Sequence, residues 1–484
     1  MAVAARRLSV SAFWRQVRRV SSRLSWGIAD QGASSLTNFL LNILVARTLG
    51  AAEFGAFTLA YVTYGFALNA SRALSIEPLL VRFGVTNMKT WRRATSASTG
   101  TALLVGLVLG TLAFAAAMVM GGTTGEAFLG LGLMLPGLML QDSWRYAFFA
   151  ARIGHHALIN DVLWAVVEIP ALLILKATGH VNVFWFVIAW GAGAAAGAVF
   201  GAFQARAVPN LNMALSWLRT HRDLGPRFLV ENCVGNGGST LQSYTISSFL
   251  GLESVGYMQA ANILMGPFRI LSSGIGMMTI PESAALMRRD PRKAFRFCVA
   301  LGFGQALLAA VWTVALLIAL PLGFGHLILG SLWVKTYPLV VPTALAVMAG
   351  CANAGAGTGL HAMGAAKRSM RLALASAVLG LGVVFAGCLL GSILVTLYLI
   401  AAYSWFNAML WWWQFRRAMH ESETIRSIGR HRAAVGPPRL WPAKNVRDKP
   451  VTTVAVSRPV PGGSYVRETP QGLPQAARPG EEMS

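Results

Sequence analysis

Twelve apolar runs, each about 18 residues or longer, follow one another between residues 26 and 415. A run of that length matches the hydrocarbon thickness of a bilayer when wound as a helix. A helix satisfies all its own backbone hydrogen bonds, which lipid cannot do for it. The sequence therefore predicts an all-α polytopic membrane protein. We place the spans near 26–46, 55–80, 97–120, 127–149, 158–178, 183–204, 227–250, 255–280, 297–320, 338–362, 372–391 and 393–415. The stretch 322–337 is Gly-rich and short, and holds Trp333, Lys335 and Tyr337. We read it as an interfacial or re-entrant piece.

Charge supports the count. Only 12% of the 484 residues are charged, about half the share in a soluble domain. Net charge is +23, which in a soluble chain suggests nucleic acid. Here the basic residues alternate across the spans instead, so nucleic acid is not expected as a partner. One side takes Arg6 to Arg23, Arg82 to Arg93, Arg152, Arg206 to Arg222, Arg288 to Arg296, Lys367 to Arg371, and Arg416 and Arg417. The other takes only Arg47, Lys176 and Lys335. By the positive-inside rule the span number is even and both termini are cytoplasmic. The expected location is the plasma (inner) membrane, multi-pass. The Arg-over-Lys bias and the Ala/Gly richness fit a GC-rich bacterial genome.

Five regions follow: a basic N-terminal segment (1–25), a first lobe (26–204), a cytoplasmic linker (205–226), a second lobe (227–415) and a Pro/Arg-rich tail (416–484). In the first segment Val10, Phe13, Trp14 and Val17 have amphipathic spacing among arginines, which suits an inner-leaflet helix or a plain basic tail. No cleavable signal peptide is evident. The tail is too polar to bury a core, so disorder is expected. Cys233, Cys298, Cys351 and Cys388 are widely spaced in apolar stretches and suggest neither a disulfide frame nor a metal site.

The chain repeats itself. At one constant offset, Glu231-Asn232 falls under Asp30-Gln31, Leu250-Gly251 under Leu49-Gly50, and Gly256-Tyr257 under Gly55-Ala56. Span 7 thus matches span 1. Since six is even, both halves enter the membrane the same way, as a parallel repeat about an axis along the membrane normal. Such a repeat predicts a cavity between the lobes near midplane.

Ionisable groups inside hydrocarbon cost about 2.5–3.5 kcal/mol each, so they mark functional candidates. Span 1 carries Asp30, Gln31, Ser34, Ser35, Asn38 and Asn42, largely on one helical face. Span 7 repeats the stripe with Glu231, Asn232, Asn236, Ser239, Gln242 and Ser243. Span 2 adds Asn69, Arg72 and Glu77, span 5 Glu168, and span 8 Arg269. From these we take Asp30, Gln31, Asn38, Arg72, Glu231, Asn232 and Arg269 as cavity or substrate candidates. Arg145, Asp161 and Glu282 lie near span ends and are read as snorkelling to the interface. Asp142 and Arg145 have the spacing of an i, i+3 pair. A cavity with both signs suits an amphiphile with an anionic phosphate and a polar head: arginines clamp phosphate, amides bond hydroxyls.

The segment Asp30-Gln31…Ser35…Asn38-Phe39, then Ala46-Arg47-Thr48-Leu49-Gly50…Phe54-Gly55, resembles the opening of polysaccharide biosynthesis/export proteins. These are lipid-linked oligosaccharide flippases of the multidrug/oligosaccharidyl-lipid/polysaccharide (MOP) exporter superfamily. The resemblance implies a V-shaped two-lobe MATE/MOP-like fold, alternating access, and a polyprenyl-diphosphate-linked glycan as cargo. It also implies a coupling ion, H+ or Na+, and glycan-assembly enzymes as partners. Relatives in lipid II export carry two further C-terminal spans where this chain has a hydrophilic tail, which argues against a peptidoglycan role.

Competing readings follow from the same residues. In a cation-coupled multidrug or metabolite antiporter of this fold, Asp30 or Glu231 would bind the coupling cation. A membrane glycan-modifying enzyme needs an acid/base constellation at a water-accessible face. We find no paired carboxylates in a loop, no HExxH and no supported GxSxG. His155-His156 beside Arg152 reads as a solvated basic loop. A scaffold acting through its tail is the remaining reading. No catalytic residue, metal or cofactor is expected, and the sequence does not fix the oligomeric state.

Overall fold

The computed structural model describes residues 26–27, 29–83 and 87–434, with some side chains left out, mostly between 231 and 284 and beyond 421. The N-terminal segment, the Glu231 and Cys233 side chains, and the tail beyond residue 434 lie outside the described residues.

Everything described is helix or short connection. The first half comprises α1 (29–48), α2, α3 (Met88–Met120), α4 (Gly122–Ala150), α5 (Gly154–Ala177) and α6 (Val183–Ala205). The α2 rod starts as Ala51–Ser71, passes through a π turn at Arg72–Ile76 and ends as Glu77–Phe83. A short α7 (Ala214–Thr220) leads to the second half: α8 (Gly225–Leu264), α9 (Gly266–Arg289), α10 (Pro291–Ala319), α11 (Gly325–Leu329), α12 (Trp333–Ala362), α13 (Ala366–Leu389) and α14 (Ile393–Ala434). The predicted spans fall on these rods, six in each half, with the break of α8 at Gly251 separating the seventh from the eighth.

Local chemistry sets the boundaries. Asn87, Asn182 and Asp290 cap α3, α6 and α10 with side-chain oxygens that accept backbone N–H groups. Pro291 follows Asp290 at the first helical position, where its missing N–H costs nothing. Gly251 takes φ 82, the left-handed region where a side chain is disfavoured, and breaks α8.

The stretch 322–332 forms a partial π turn, the one-and-a-half-turn α11 and a 3-10 turn. The helix that follows starts at Trp333, five residues before the predicted span, and carries Pro338 and Pro342 within it.

Seven helical stretches among the described residues are long and apolar enough to cross a membrane on those grounds alone, one of them covering Pro291–Ala362. The rods not among them are α1, α2, α8 and α9. Their polarity is the reason, and it goes partly to the cavity described below and partly to ion pairs and helix seams.

Within the first half, α3 packs on α4, and α4 and α5 on α6. Small residues permit this closeness: Trp144 lies over Gly201, and Gln141 and Asn160 over Gly197. Within the second half, α10 packs on α12 and α9, with Gly302 and Gly355 backbone to backbone and Phe415 of α14 over Gly359. Trp412 donates its indole N–H to the Ala352 carbonyl at 2.9 Å. Cys298, Cys351 and Cys388 are buried free thiols.

The halves meet along α2 and α8. Gly55 abuts the Leu252 carbonyl, and Gly256 abuts the Ala51 carbonyl. Under the sequence repeat Gly256 is the mate of Gly55, and Leu252 the mate of Ala51. The contact is thus self-complementary, as a twofold axis between the lobes requires. Thr63 and Tyr244 bond through their hydroxyls at 2.6 Å further along the same seam.

Candidate functional site

Between the lobes lies a cavity of about 930 Å³. The middle of α1 lines it with Ser35, Asn38 and Asn42, and α2 adds Tyr61. From the other lobe come Ser239, Gln242 and Ser243 of α8, then Gln259, Asn262 and Arg269. Gln305 of α10 and Thr343 of α12 complete the polar wall. The remainder is apolar, including Phe39, Met258, Val347 and Leu397. Three residues of each polar stripe, Ser35, Asn38 and Asn42 on α1 and Ser239, Gln242 and Ser243 on α8, line this one space.

Arg269 is the one formally charged residue lining this cavity among those described. Its Nη2 donates to Asn262 Oδ1 at 3.1 Å. No described carboxylate lies within 4 Å of it. The side chain is exposed to the cavity. An unneutralised guanidinium in a low-dielectric pocket is an anion site, with a fork that fits phosphate oxygens. Asn42 and Gln259 bridge the lobes at 3.3 Å.

The other candidates take different places. Asp30 is not in the cavity: it is 1% exposed, and Arg145 holds its Oδ2 at 2.6 and 2.8 Å. Arg145 also reaches Asp161 at 3.3 Å. The interfacial reading of Arg145 and Asp161 is thereby overturned: Arg145 is 12% and Asp161 5% exposed, because each finds a partner inside the bundle rather than water. Arg72 clamps Asp142 bidentately at 2.6 and 2.8 Å and lies 4.7 Å over the Tyr146 ring. Its fork is already engaged, so it is no free phosphate clamp. Asp142 and Arg145 do not pair with one another. Gln31 donates to Ser35 at 3.2 Å, and Asn232 donates to Glu77 at 3.1 Å on the α2–α8 seam. Asn38 lines the cavity and accepts from Tyr61 at 3.2 Å. Glu231's side chain lies outside the described residues.

Behind α1 the first lobe holds a second, smaller pocket of about 200 Å³. Tyr61, Tyr64 and Trp164 wall it with Arg72, Asp142, Arg145 and Asp161. Asn38 and Tyr61 line both spaces. Sequence reasoning missed this pocket. The signal was present on α2, where Tyr61, Tyr64, Gly65, Leu68 and Arg72 share one helical face. Glu168 is 1% exposed nearby, and its Oε1 has no hydrogen-bond partner. Among the described residues no group of three or more His, Cys, Asp or Glu is placed to hold a metal.

No protein-family profile and no curated protein matches the chain. Solved structures do. An inward-facing multidrug resistance MATE-family transporter of the MOP superfamily superposes with TM-score 0.63 at 15% identity, over 81% of this chain and 96% of that one. The lipid II flippase MurJ in an inward closed conformation gives TM-score 0.63 at 12% identity, over 82% and 89%. An outward-facing MATE-family transporter gives TM-score 0.52 at 13% identity, over 84% and 95%. The fold of this chain is the one these MOP-superfamily transporters share.

Proposed function

We propose that this chain is a membrane transporter that flips a polyprenyl-phosphate-linked oligosaccharide across the plasma membrane, for surface polysaccharide synthesis, by alternating access. The observation that carries the reading is Arg269: among the described residues, the one charged side chain in a large inter-lobe cavity whose other polar groups are mostly amides and hydroxyls. Phosphate pairs with the guanidinium, and sugar hydroxyls pair with the amides. A pocket for cationic drugs would instead place a carboxylate in that wall.

The lipid tail stays in the bilayer while the head crosses between the lobes. The basic-loop end is taken as cytoplasmic, and the Gly55–Gly256 seam then closes the outer end. The higher TM-score with the inward-facing transporter than with the outward-facing one supports the same state. An inside-negative potential favours outward passage of an anion, by about 2.3 kcal/mol per charge per 100 mV.

The test is reconstitution into liposomes with a fluorescent polyprenyl-diphosphate oligosaccharide, scoring the fraction carried to the far leaflet. Wild type should flip it. Arg269→Ala should lose about tenfold or more in rate, and Arg269→Lys should keep part of it. Wild-type speed in Arg269→Ala, or no flipping by wild type, overturns the proposal.

A further inference from the structure

We infer that the small pocket in the first lobe is a sugar subsite, which receives one neutral or amino sugar of the head while Arg269 holds the phosphate. This rests on the flippase reading and deepens it.

Three observations converge. The pocket adjoins the main cavity, since Asn38 and Tyr61 line both. A head anchored at Arg269 thus has a side chamber next to it, reached past these two side chains, which bond to each other at 3.2 Å. Its volume of about 200 Å³ is roughly that of seven waters, the space of one sugar ring and too little for a longer glycan.

Its wall chemistry is also selective. Trp164 gives its indole N–H to the Trp190 carbonyl at 3.1 Å, so only its ring is left for a ligand. Tyr61 and Tyr64 stand against Trp190 at 5.5 and 4.9 Å, which fixes their rings. Fixed aromatic faces present apolar surface to the C–H face of a sugar. Beside them Ser34, Asn38 and Gln141 add hydroxyl and amide groups, which suit sugar hydroxyls, each able to give and accept.

Charge then narrows the sugar. Arg72 already faces Asp142, and Arg145 already faces Asp30 and Asp161. Three carboxylates thus stand against two guanidiniums. The field opposes a sugar carboxylate and admits a hydroxyl or an ammonium. The two spaces therefore divide the head, with the anion at Arg269 and the uncharged or cationic ring in the first lobe.

Gly65 supplies the probe. It lies on the pocket wall, in mid-helix, and an added Cβ meets nothing within 4 Å. Gly65→Ala or Gly65→Leu therefore fills the chamber without displacing the backbone, and Gly→Ala favours the helix. Binding is measured by calorimetry in detergent with three probes: bare polyprenyl diphosphate, the same lipid bearing N-acetylglucosamine, and the same lipid bearing glucuronic acid. Wild type should bind the N-acetylglucosamine lipid about tenfold tighter than the bare diphosphate. The glucuronic acid lipid should gain nothing over the bare lipid. Gly65→Leu should bind all three equally, with the affinity for the bare diphosphate unchanged. Arg269→Ala should weaken all three.

The two proposals fail separately. If Gly65→Leu keeps the full advantage of the N-acetylglucosamine lipid, or wild type shows none, the subsite is wrong while the Arg269 clamp stands. If the glucuronic acid lipid binds tightest, the charge argument is wrong and the subsite with it. If Arg269→Ala binds all probes as wild type does, the flippase reading goes.

Discussion

Gly55 on α2 lies against the carbonyl of Leu252 on α8 with no room for a Cβ between them, and Gly256 repeats the contact against Ala51. At this seam repeat mates touch in a reciprocal pattern. Its closeness makes it a latch that any side chain opens. Gly55→Val should leave the lobes assembled but unable to close here. Spin labels at Ala52→Cys and Ser254→Cys, in a background free of native cysteine, should report a longer distance than in the parent, with most transport lost. An unchanged distance removes the latch.

Arg145 predicts a different phenotype from Arg269. Its guanidinium neutralises Asp30, which is sealed from water, and touches Asp161 as well. Removing one partner of a buried pair leaves a charge without compensation, at a cost of about 3–5 kcal/mol. Arg145→Ala should lower thermal stability in detergent strongly, whereas Arg269→Ala should barely move it. Equal melting curves for the two variants contradict the pairing.

Glu168 is buried with one carboxylate oxygen unpartnered. Burying such a group is costly, and an unbranched apolar chain fits the same space. Glu168→Met should therefore stabilise the protein by about 1–3 kcal/mol in chemical denaturation. If the stabilised variant also fails to transport, the carboxyl has a part in the cycle.

The connection between the lobes carries a pH dependence. His221 is buried, with its ring 4.1 Å from that of Trp217 and 6.3 Å from that of Phe83, and donates its Nδ1–H to the Trp217 carbonyl at 2.9 Å. Arg82 holds Asp223 beside it at 2.7 Å. Burial, the main cause, lowers the His221 pKa below its usual 6.5. The unfolded segment then binds a proton more readily than the folded one. The histidine's contribution is complete above about pH 6.5 and is lost as pH falls through the lowered folded value. Amide exchange in residues 211–225, corrected for intrinsic rates, should rise between pH 7 and 5, and His221→Phe should flatten the response.

The spans were legible because lipid leaves a helix almost no choice of length or composition. The two-lobe arrangement was legible through Leu49-Gly50 and Leu250-Gly251, which recur because both mark a helix break. Which arginine was free was not legible. Arg72 and Arg269 look alike in sequence, each alone in an apolar run. What separates them is Asp142, 70 residues from Arg72 and brought there only by α4 packing on α2. Asp30 and Arg145 meet across 115 residues for the same reason. A polar stripe shows that a helix face avoids lipid, but water, ligand and a neighbouring charge all leave that one trace.

The π turn at Arg72–Ile76 fixes the phase of everything beyond it on α2. An α-helix advances about 100° per residue, and a π turn holds one residue more than regular winding needs. Deleting one residue there would restore the ordinary pitch with the end of the rod still facing as it does; keeping every residue but winding the turn as regular α-helix would instead swing residues 77–83 about 100° around the axis. Glu77 would leave Asn232, and Arg82 would leave Asp223, while Arg72 kept its grip on Asp142. The wide turn thus takes up one surplus amino acid so that a single rod presents Arg72 to the ion-paired interior and Glu77 and Arg82 to the inter-lobe joint.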